Sequence, residues 1–474
     1  MPTPGFVALS ETLLQELRAI VGDDHFVIDD SGLSTLSKDF YWYSPVLRDR
    51  LEDRLAAAAV RVTTIDQLRA VVALAATARV PLTMRGAATG NYGQSVPLYG
   101  GLIVDLSGMD RIIDLSEGVV TAEPGARLAT IENQARPLGW ELRCYPSTWV
   151  KSTIAGFVSG GSGGIGSISH GGLREPGTIK RFKIMTIEEE PRILTLDETE
   201  TMRVFHAYGT NGIIVEVQLR LAPAYPWQQL VIASTNWDPL LDFAAEIAGD
   251  ATVRKRLVSV MENPIGSFFK PIKKFYPADH HLIFFEVDES SADAVAARAE
   301  AAGLSVPHRI PYHYPRKPPM LSDYTWNHTT LWALKADPAW TYLQSGFGAN
   351  YREQFQLLHA KFPGEILFHL EFTRGNPKMG GASPTVACGG IPLVHFKSEE
   401  RLKEIIEYCT SIGVFTANPH TCYIEEGGRD QGYDVQLELK HEADPHNLLN
   451  PGKMKQAPTP RFAVPGSMPH FLFS

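Results

Sequence analysis

Two glycine-rich stretches constrain this chain more than any other feature. The first, residues 85–93, reads Arg85-Gly86-Ala87-Ala88-Thr89-Gly90-Asn91-Tyr92-Gly93; the second, 156–172, contains Gly160-Gly161-Ser162-Gly163-Gly164-Ile165-Gly166. Runs so poor in side chains cannot offer the apolar face that a packed helix or strand needs. They make loops whose backbone N–H groups converge on an anion with no Cβ in the way. Two such loops close together predict a large phosphorylated cofactor held by main chain more than by Lys or Arg.

Which cofactor depends on the surroundings of the loops. Gly161-Ser162-Gly163-Gly164-Ile165-Gly166 satisfies the G-x-G-x-x-G pattern of nicotinamide folds, which demands an amphipathic helix directly afterwards. The chain continues instead as Ser167-Ile168-Ser169-His170-Gly171-Gly172-Leu173-Arg174-Glu175-Pro176-Gly177, where glycines and a proline break any such helix. A P-loop fails too, because no glycine is followed by Lys and Ser or Thr at the required spacing.

The 474 residues leave room for two or three domains, and 44% hydrophobic with 20% charged residues describes a folded chain rather than a disordered one. A net charge of -9 with no basic run argues against a nucleic-acid partner. No apolar stretch reaches the ~20 residues of a membrane span. The first five residues lack the basic and apolar regions of a secretory signal, and the four cysteines (Cys144, Cys388, Cys409, Cys422) form no CxxC pair. These features predict a cytoplasmic protein with reduced thiols.

Ser10 caps a helical pattern of Leu13, Leu14, Leu17 and Ile20 that stops at Gly22, and a second helix starts at Thr64 and ends at Val80-Pro81. Short strands are predicted at 82–84, 102–106 and 119–123, with a longer one at 213–221 whose odd positions are largely apolar. Pro223 and Pro226 mark a boundary, beyond which apolar runs such as 282–285 and 366–368 alternate with helical stretches such as 398–408. The fold class is α+β throughout, with an antiparallel sheet in the second part.

Taken in order, several segments resemble one family. They are 80–90, then 101–106 with Met109 and Ile112, then Ala122-Glu123-Pro124-Gly125, Pro146-Ser147, Ser152-Thr153-Ile154-Ala155-Gly156, the glycine cluster, Gly209-Thr210-Asn211-Gly212, and Asp444-Pro445-His446-Asn447-Leu448-Leu449-Asn450-Pro451-Gly452-Lys453. Together they resemble the vanillyl-alcohol oxidase / p-cresol methylhydroxylase (PCMH-type) FAD-binding superfamily, and within it the glycolate oxidase / D-lactate dehydrogenase branch of FAD-linked oxidases.

The resemblance implies a PCMH-type two-subdomain FAD-binding domain over 1–224, an α+β cap domain over 225–440 for the substrate, and a C-terminal segment, 441–474, returning to the FAD domain. It implies that Arg85, Gly86, Ala87, Ala88, Thr89, Gly90 and Asn91 wrap the FAD diphosphate. Pro146, Ser147, Thr153, Gly156, Gly160, Gly161, Gly163, Gly164, Ile165 and Gly166 would line the flavin and its ribityl chain, with Ile213, Ile214 and Asn450 completing the site. Family members that bond the flavin covalently use a His in the first loop or a Cys in the second. Neither position matches here, so the FAD is expected to be non-covalent.

The implied activity is oxidation of an alcohol, hydroxy acid or phenolic small molecule, with oxygen or a redox partner as electron acceptor. The protein's own tasks are to place the substrate C–H over the flavin and to accept a proton. Three clusters offer a base. In 366–374, alternation puts His369, Glu371 and Thr373 on one face and Phe368, Leu370 and Phe372 on the other. Tyr312-His313-Tyr314 with 324–332, which includes His328, Trp326 and Trp332, is dense enough in aromatics to sandwich a flat or apolar substrate. The loop 418–426 offers His420 as base and Tyr423 as hydrogen-bond donor.

The hydroxy-acid branch typically shows a His-rich Gly-Asp-Gly-Asn segment and a later Glu-His-Gly segment that bind a divalent metal. Here Cys388-Gly389-Gly390-Ile391-Pro392-Leu393-Val394-His395 and Asn418-Pro419-His420 stand in the comparable places. No metal is therefore expected, and a carboxylate would need an arginine such as Arg309, Arg316 or Arg374. The alternatives are a non-catalytic flavin-fold subunit of a multi-subunit oxidase and a nicotinamide dehydrogenase. A homodimer is compatible with the sequence.

Overall fold

The computed structural model describes residues 7–374, 386–427 and 432–458. The first five residues and the end of the 441–474 segment lie outside them. Ser10 caps the opening helix Glu11–Val21 through its side chain, and Gly22 ends it at φ 82°. Helix Ile65–Ala78 is capped by Thr64 and stopped by Arg79 in the left-handed conformation, just before Val80-Pro81. Both helices lay their apolar stripes on a four-stranded sheet ordered 26–27, 58–61, 102–105, 82–85, whose last three strands run parallel.

A second, antiparallel sheet follows. Strand Ile213–Pro223 is its spine, pairing with 119–122 on one side and 179–185 on the other, with 112–116 and 193–197 at the edges. Its alternating burial matches the half-buried pattern read from the sequence. The space between the two sheets is where both glycine loops sit.

The chain then builds an eight-stranded, mainly antiparallel sheet from 227–234, 255–261, 281–288, 305–310, 344–346, 369–374, 386–390 and 415–417. Helices Trp237–Gly249, Glu289–Ala301, Tyr351–Lys361 and Glu399–Ser411 cover one face. There Phe368, Leu370 and Phe372 join one apolar core, and the opposite alternation positions face away from it. Strand Ile213–Pro223 of the second sheet is followed directly by Trp227–Ser234 of this one.

After helix Tyr433–Ala443 the chain returns to the first half. Leu82 N–H donates to Leu448 O at 2.8 Å and Asn450 N–H to Leu82 O at 2.6 Å, which extends the parallel sheet by one bridge. Lys440 Nζ, fully enclosed, holds this return through Asp444 Oδ2 at 2.6 Å and Leu449 O at 2.8 Å. A buried ammonium without such partners would be costly, so these bonds fix the segment's course.

The seam between the halves is ionic. Arg136 pairs with Glu132 at 2.9 Å, Trp227 Nε1 donates to Glu141 at 2.8 Å, and Arg256 bridges Glu141 and Glu286. Arg256 and Arg316 flank the ring of Tyr145 at 5.6 and 5.5 Å. Burial, outweighing its arginine neighbours, pushes the Glu141 carboxyl up to about 7.

Candidate functional site

Strand Leu82–Arg85 delivers the chain to the first glycine loop at the bottom of a long cleft between the two sheets of the first half. Among the described residues, none of the backbone N–H groups from Gly86 to Asn91 donates to a protein acceptor. Ala88 holds φ 47°, which turns neighbouring amides toward a common point. Arg85 does not aim its Nη1 at that point: this nitrogen donates to Leu36 O and Lys38 O, both at 2.8 Å, and fastens the 36–38 chain. The charge of an anion here falls to amides, as the composition of the loop suggested.

The second loop closes the other wall. Thr153 caps helix Ile154–Gly160, and a Cβ on Gly86 would collide with its Oγ1, so glycine lets the two loops touch. Hydroxyls lace them together, Thr89 Oγ1 to Ser152 Oγ at 2.9 Å and Ser152 Oγ to Thr148 Oγ1 at 2.8 Å. Strained backbone gathers around the same cleft: His206, Tyr208 and Trp326 have φ of 53°, 54° and 53°, and all three line it. Such conformations concentrate at ligand sites. Asn91 Nδ2 and Trp326 Nε1 are buried without a partner among the described residues. Unengaged amides and orphan donors in a cleft of this length fit an anionic dinucleotide with a polar ring system.

At its inner end the cleft meets a second cavity, and Ser162, Gly163, Trp326, Gln344 and Ile391 border both. Beyond this rim the second cavity lies on the face of the eight-stranded sheet opposite its covering helices, where Glu371 and Thr373 point, with Arg174 and Arg374 also in its wall. Glu371 is 3% exposed, and its Oε1 accepts from Ser259 Oγ, Trp326 N–H and His369 Nε2, each at 2.9 Å. Thus Glu371 fixes the strained Trp326 backbone at the rim, with His369 fully buried behind it.

Most of the residues expected at the cofactor line the cleft: Arg85 through Asn91, Pro146, Ser147, Thr153, Gly156, Gly160, Gly161, Gly163, Ile213 and Ile214. Gly164, Ile165, Gly166 and Asn450 are placed elsewhere. Ile165 bridges Tyr145 in an isolated antiparallel pair, and a Cβ on Gly164 would strike the Tyr145 carbonyl, so that stretch is small because two backbones pass close together. Asn450 donates to Gln94 O at 2.8 Å and Tyr208 O at 2.7 Å, bracing the cleft from behind.

The base candidates separate. Glu371 reaches the second cavity, but His420, Tyr423 and His328 line neither space. His420 is fully buried, its Nδ1 2.7 Å from Ser44 Oγ and its Nε2 3.0 Å from Tyr342 O, and burial pushes its pKa down to about 3. His328 sits on Asp323 O at 3.0 Å and is pushed down by burial to about 4. Tyr423 packs beside Cys422 and under Lys455. The loop after Pro419 thus organises the contact between the halves. Of the arginines, Arg309 pairs with Asp293 at 2.7 Å, Arg316 is tied to Tyr145 Oη at 2.9 Å, and Arg374, whose Nη1 donates to Ser169 O at 3.2 Å, lines the cavity wall. Sequence reasoning missed Gln344, His206 and Tyr208, which border the cleft from distant segments with no local pattern of their own.

Cys144 is buried off the cleft, where burial pushes its thiol up to about 12. Among the described residues no group of three His, Cys, Asp or Glu side chains is placed to hold a metal, and no helix is long and apolar enough to cross a membrane.

Residues 56–190 match the FAD binding domain family. The chain therefore carries an FAD binding domain over these residues, and it is an FAD-linked oxidoreductase. Over 82% of its length it is 23% identical to D-2-hydroxyglutarate dehydrogenase of Xanthomonas citri pv. viticola, covering 87% of that protein. It is 22% identical to glycolate oxidase subunit GlcD of Bacillus subtilis over 94% of this chain and 97% of the relative. In fold it is similar to alkyldihydroxyacetonephosphate synthase, with a TM-score of 0.67 at 15% identity over 94% of this chain and 87% of that one. The resemblance read from the ordered motifs is met by these comparisons.

Proposed function

We propose that this enzyme oxidises a 2-hydroxy acid at the rim where the two cavities join, using non-covalently held FAD. The observation that carries this is the shared border of Ser162, Gly163, Trp326, Gln344 and Ile391, with a buried carboxylate on one side and Arg374 in the same wall. FAD supplies the two-electron acceptor when bound; the diphosphate belongs on the Gly86–Asn91 amides, and the ring system at the rim. Arg374 takes the substrate carboxylate, whose charge its guanidinium matches. Glu371, whose Oε2 has no partner among the described residues, takes the hydroxyl proton, and the bonds from Ser259, Trp326 and His369 hold it in place. The first loop offers no histidine and Cys144 lies off the cleft, which supports a dissociable cofactor. Oxygen or a redox partner then removes the electrons.

The relatives support this reading, being a 2-hydroxyglutarate dehydrogenase and a glycolate oxidase subunit by name. The test is anaerobic mixing of the FAD-loaded enzyme with glycolate, lactate, 2-hydroxyglutarate and mandelate. Loss of the visible flavin band with at least one of them, slowed about 10²–10⁴-fold in Glu371→Gln, is the expected result. Failure of every 2-hydroxy acid to bleach the flavin would refute it.

A further inference from the structure

The sheet face under the second cavity has a gap in its register. Cross-strand partners run Glu371, Gly389, Gly346, Phe415 over four adjacent strands. Partners in register on one face are nearest neighbours. Two positions without side chains between a carboxylate and a phenyl ring therefore form a trough, and Ala387 and Ala417 keep its flanks low.

Neither glycine is needed for the backbone or the packing. Both lie outside the left-handed region. A Cβ on Gly389 would come no closer than 3.5 Å to Glu371 O and Ser345 O, and one on Gly346 no closer than 3.6 Å to the Phe415 ring, which is ordinary contact. The adjacent Gly390 differs: a Cβ there would lie 2.5 Å from His369 O. Glycine inside a strand weakens it, and at Gly346 and Gly389 what is gained against that cost is the space they leave. A second observation points to an occupant. Glu371, 3% exposed, lines the cavity beside this trough, and its hydrogen bonds from Ser259, Trp326 and His369 all go to one carboxylate oxygen, Oε1.

We infer that the trough receives the side group of the substrate, and that Gly346 and Gly389 select a bulky apolar group, an aryl ring or branched alkyl chain, over hydrogen or methyl. The inference rests on the 2-hydroxy acid reading for the position of the reacting carbon. The trough itself rests on the sheet register. Phe415 at the far end gives such a group a ring to pack against.

The test uses the FAD-loaded full chain and two unreactive carboxylates, acetate and phenylacetate, titrated while the flavin spectrum and the thermal unfolding midpoint are followed. Phenylacetate is expected to bind at least tenfold more tightly than acetate. Gly389→Val and Gly346→Val are expected to remove that preference while acetate binding stays within about threefold. Should a valine variant lose its FAD, Gly389→Ala takes its place, and there the preference must fall at least threefold. Equal binding of the two acids to the wild type, or a preference that survives these substitutions, overturns the inference. If the preference and its loss appear while no 2-hydroxy acid bleaches the flavin, the trough stands and the proposed reaction falls.

Discussion

The two walls of the site are built on opposite plans. The proposed cofactor wall is made of loops contiguous in sequence, 86–91 with unengaged amides and 146–163 with few side chains. The proposed substrate wall is assembled from Gln344, Glu371, Gly389 and Phe415, brought together by strand register across a sheet, with Trp326 tied to it through its N–H to Glu371. A main-chain cradle tolerates change in side chains but not in the space around its backbone. The sheet face responds to single side chains, because each occupies one place on a flat surface.

This contrast makes graded predictions. The largest effect belongs to the cradle: Gly86→Val drives a side chain into Thr153, and FAD retention after purification should fall at least a hundredfold, measured as flavin per chain. A stoichiometric yellow variant would show that the loops do not meet as described. Next comes Glu371→Gln, expected to slow flavin reduction about 10²–10⁴-fold with FAD content unchanged. Arg374→Ala should raise KM about 10–100-fold for a 2-hydroxy acid and change kcat little, since it removes a charge-assisted contact rather than the base.

The smallest kinetic effect belongs to His420, away from both walls, where His420→Asn should leave flavin reduction within about twofold. Its role is read in stability instead. Burial holds its pKa down to about 3, while an unfolded histidine titrates near 6.5. Between those values the unfolded chain binds the proton and the folded one does not, so stability falls as pH drops through that window, by up to about 1.4 kcal/mol per unit. Denaturant titrations should therefore show the wild-type advantage over His420→Asn shrinking from pH 6.5 downward. A gap independent of pH would contradict this.

What could be read from the residues follows the same division. The capped helices at 11–21 and 65–78, the strand at 213–223 and the first glycine loop carry their signals locally, in spacing, caps and missing side chains. The alternation of 366–374 was also legible, and it separates Glu371 from the core-facing Phe368, Leu370 and Phe372. Histidines were not. His420, from the polar loop 418–426, and Glu371, from the alternating strand, both appeared as candidate bases, and only burial and partners show that one joins the halves while the other reaches a cavity. Gly164 and Gly166 misled for a related reason: a glycine required by close backbones reads the same as one required by a ligand.

The most direct test of the account is a crystal structure of the FAD-loaded chain. The diphosphate is expected within hydrogen-bond distance of the Gly86–Asn91 amides and the flavin ring at the border of Gly163, Trp326 and Gln344, with Glu371 across the rim. A cofactor bound with its diphosphate away from those amides, or its ring away from the second cavity, would contradict it.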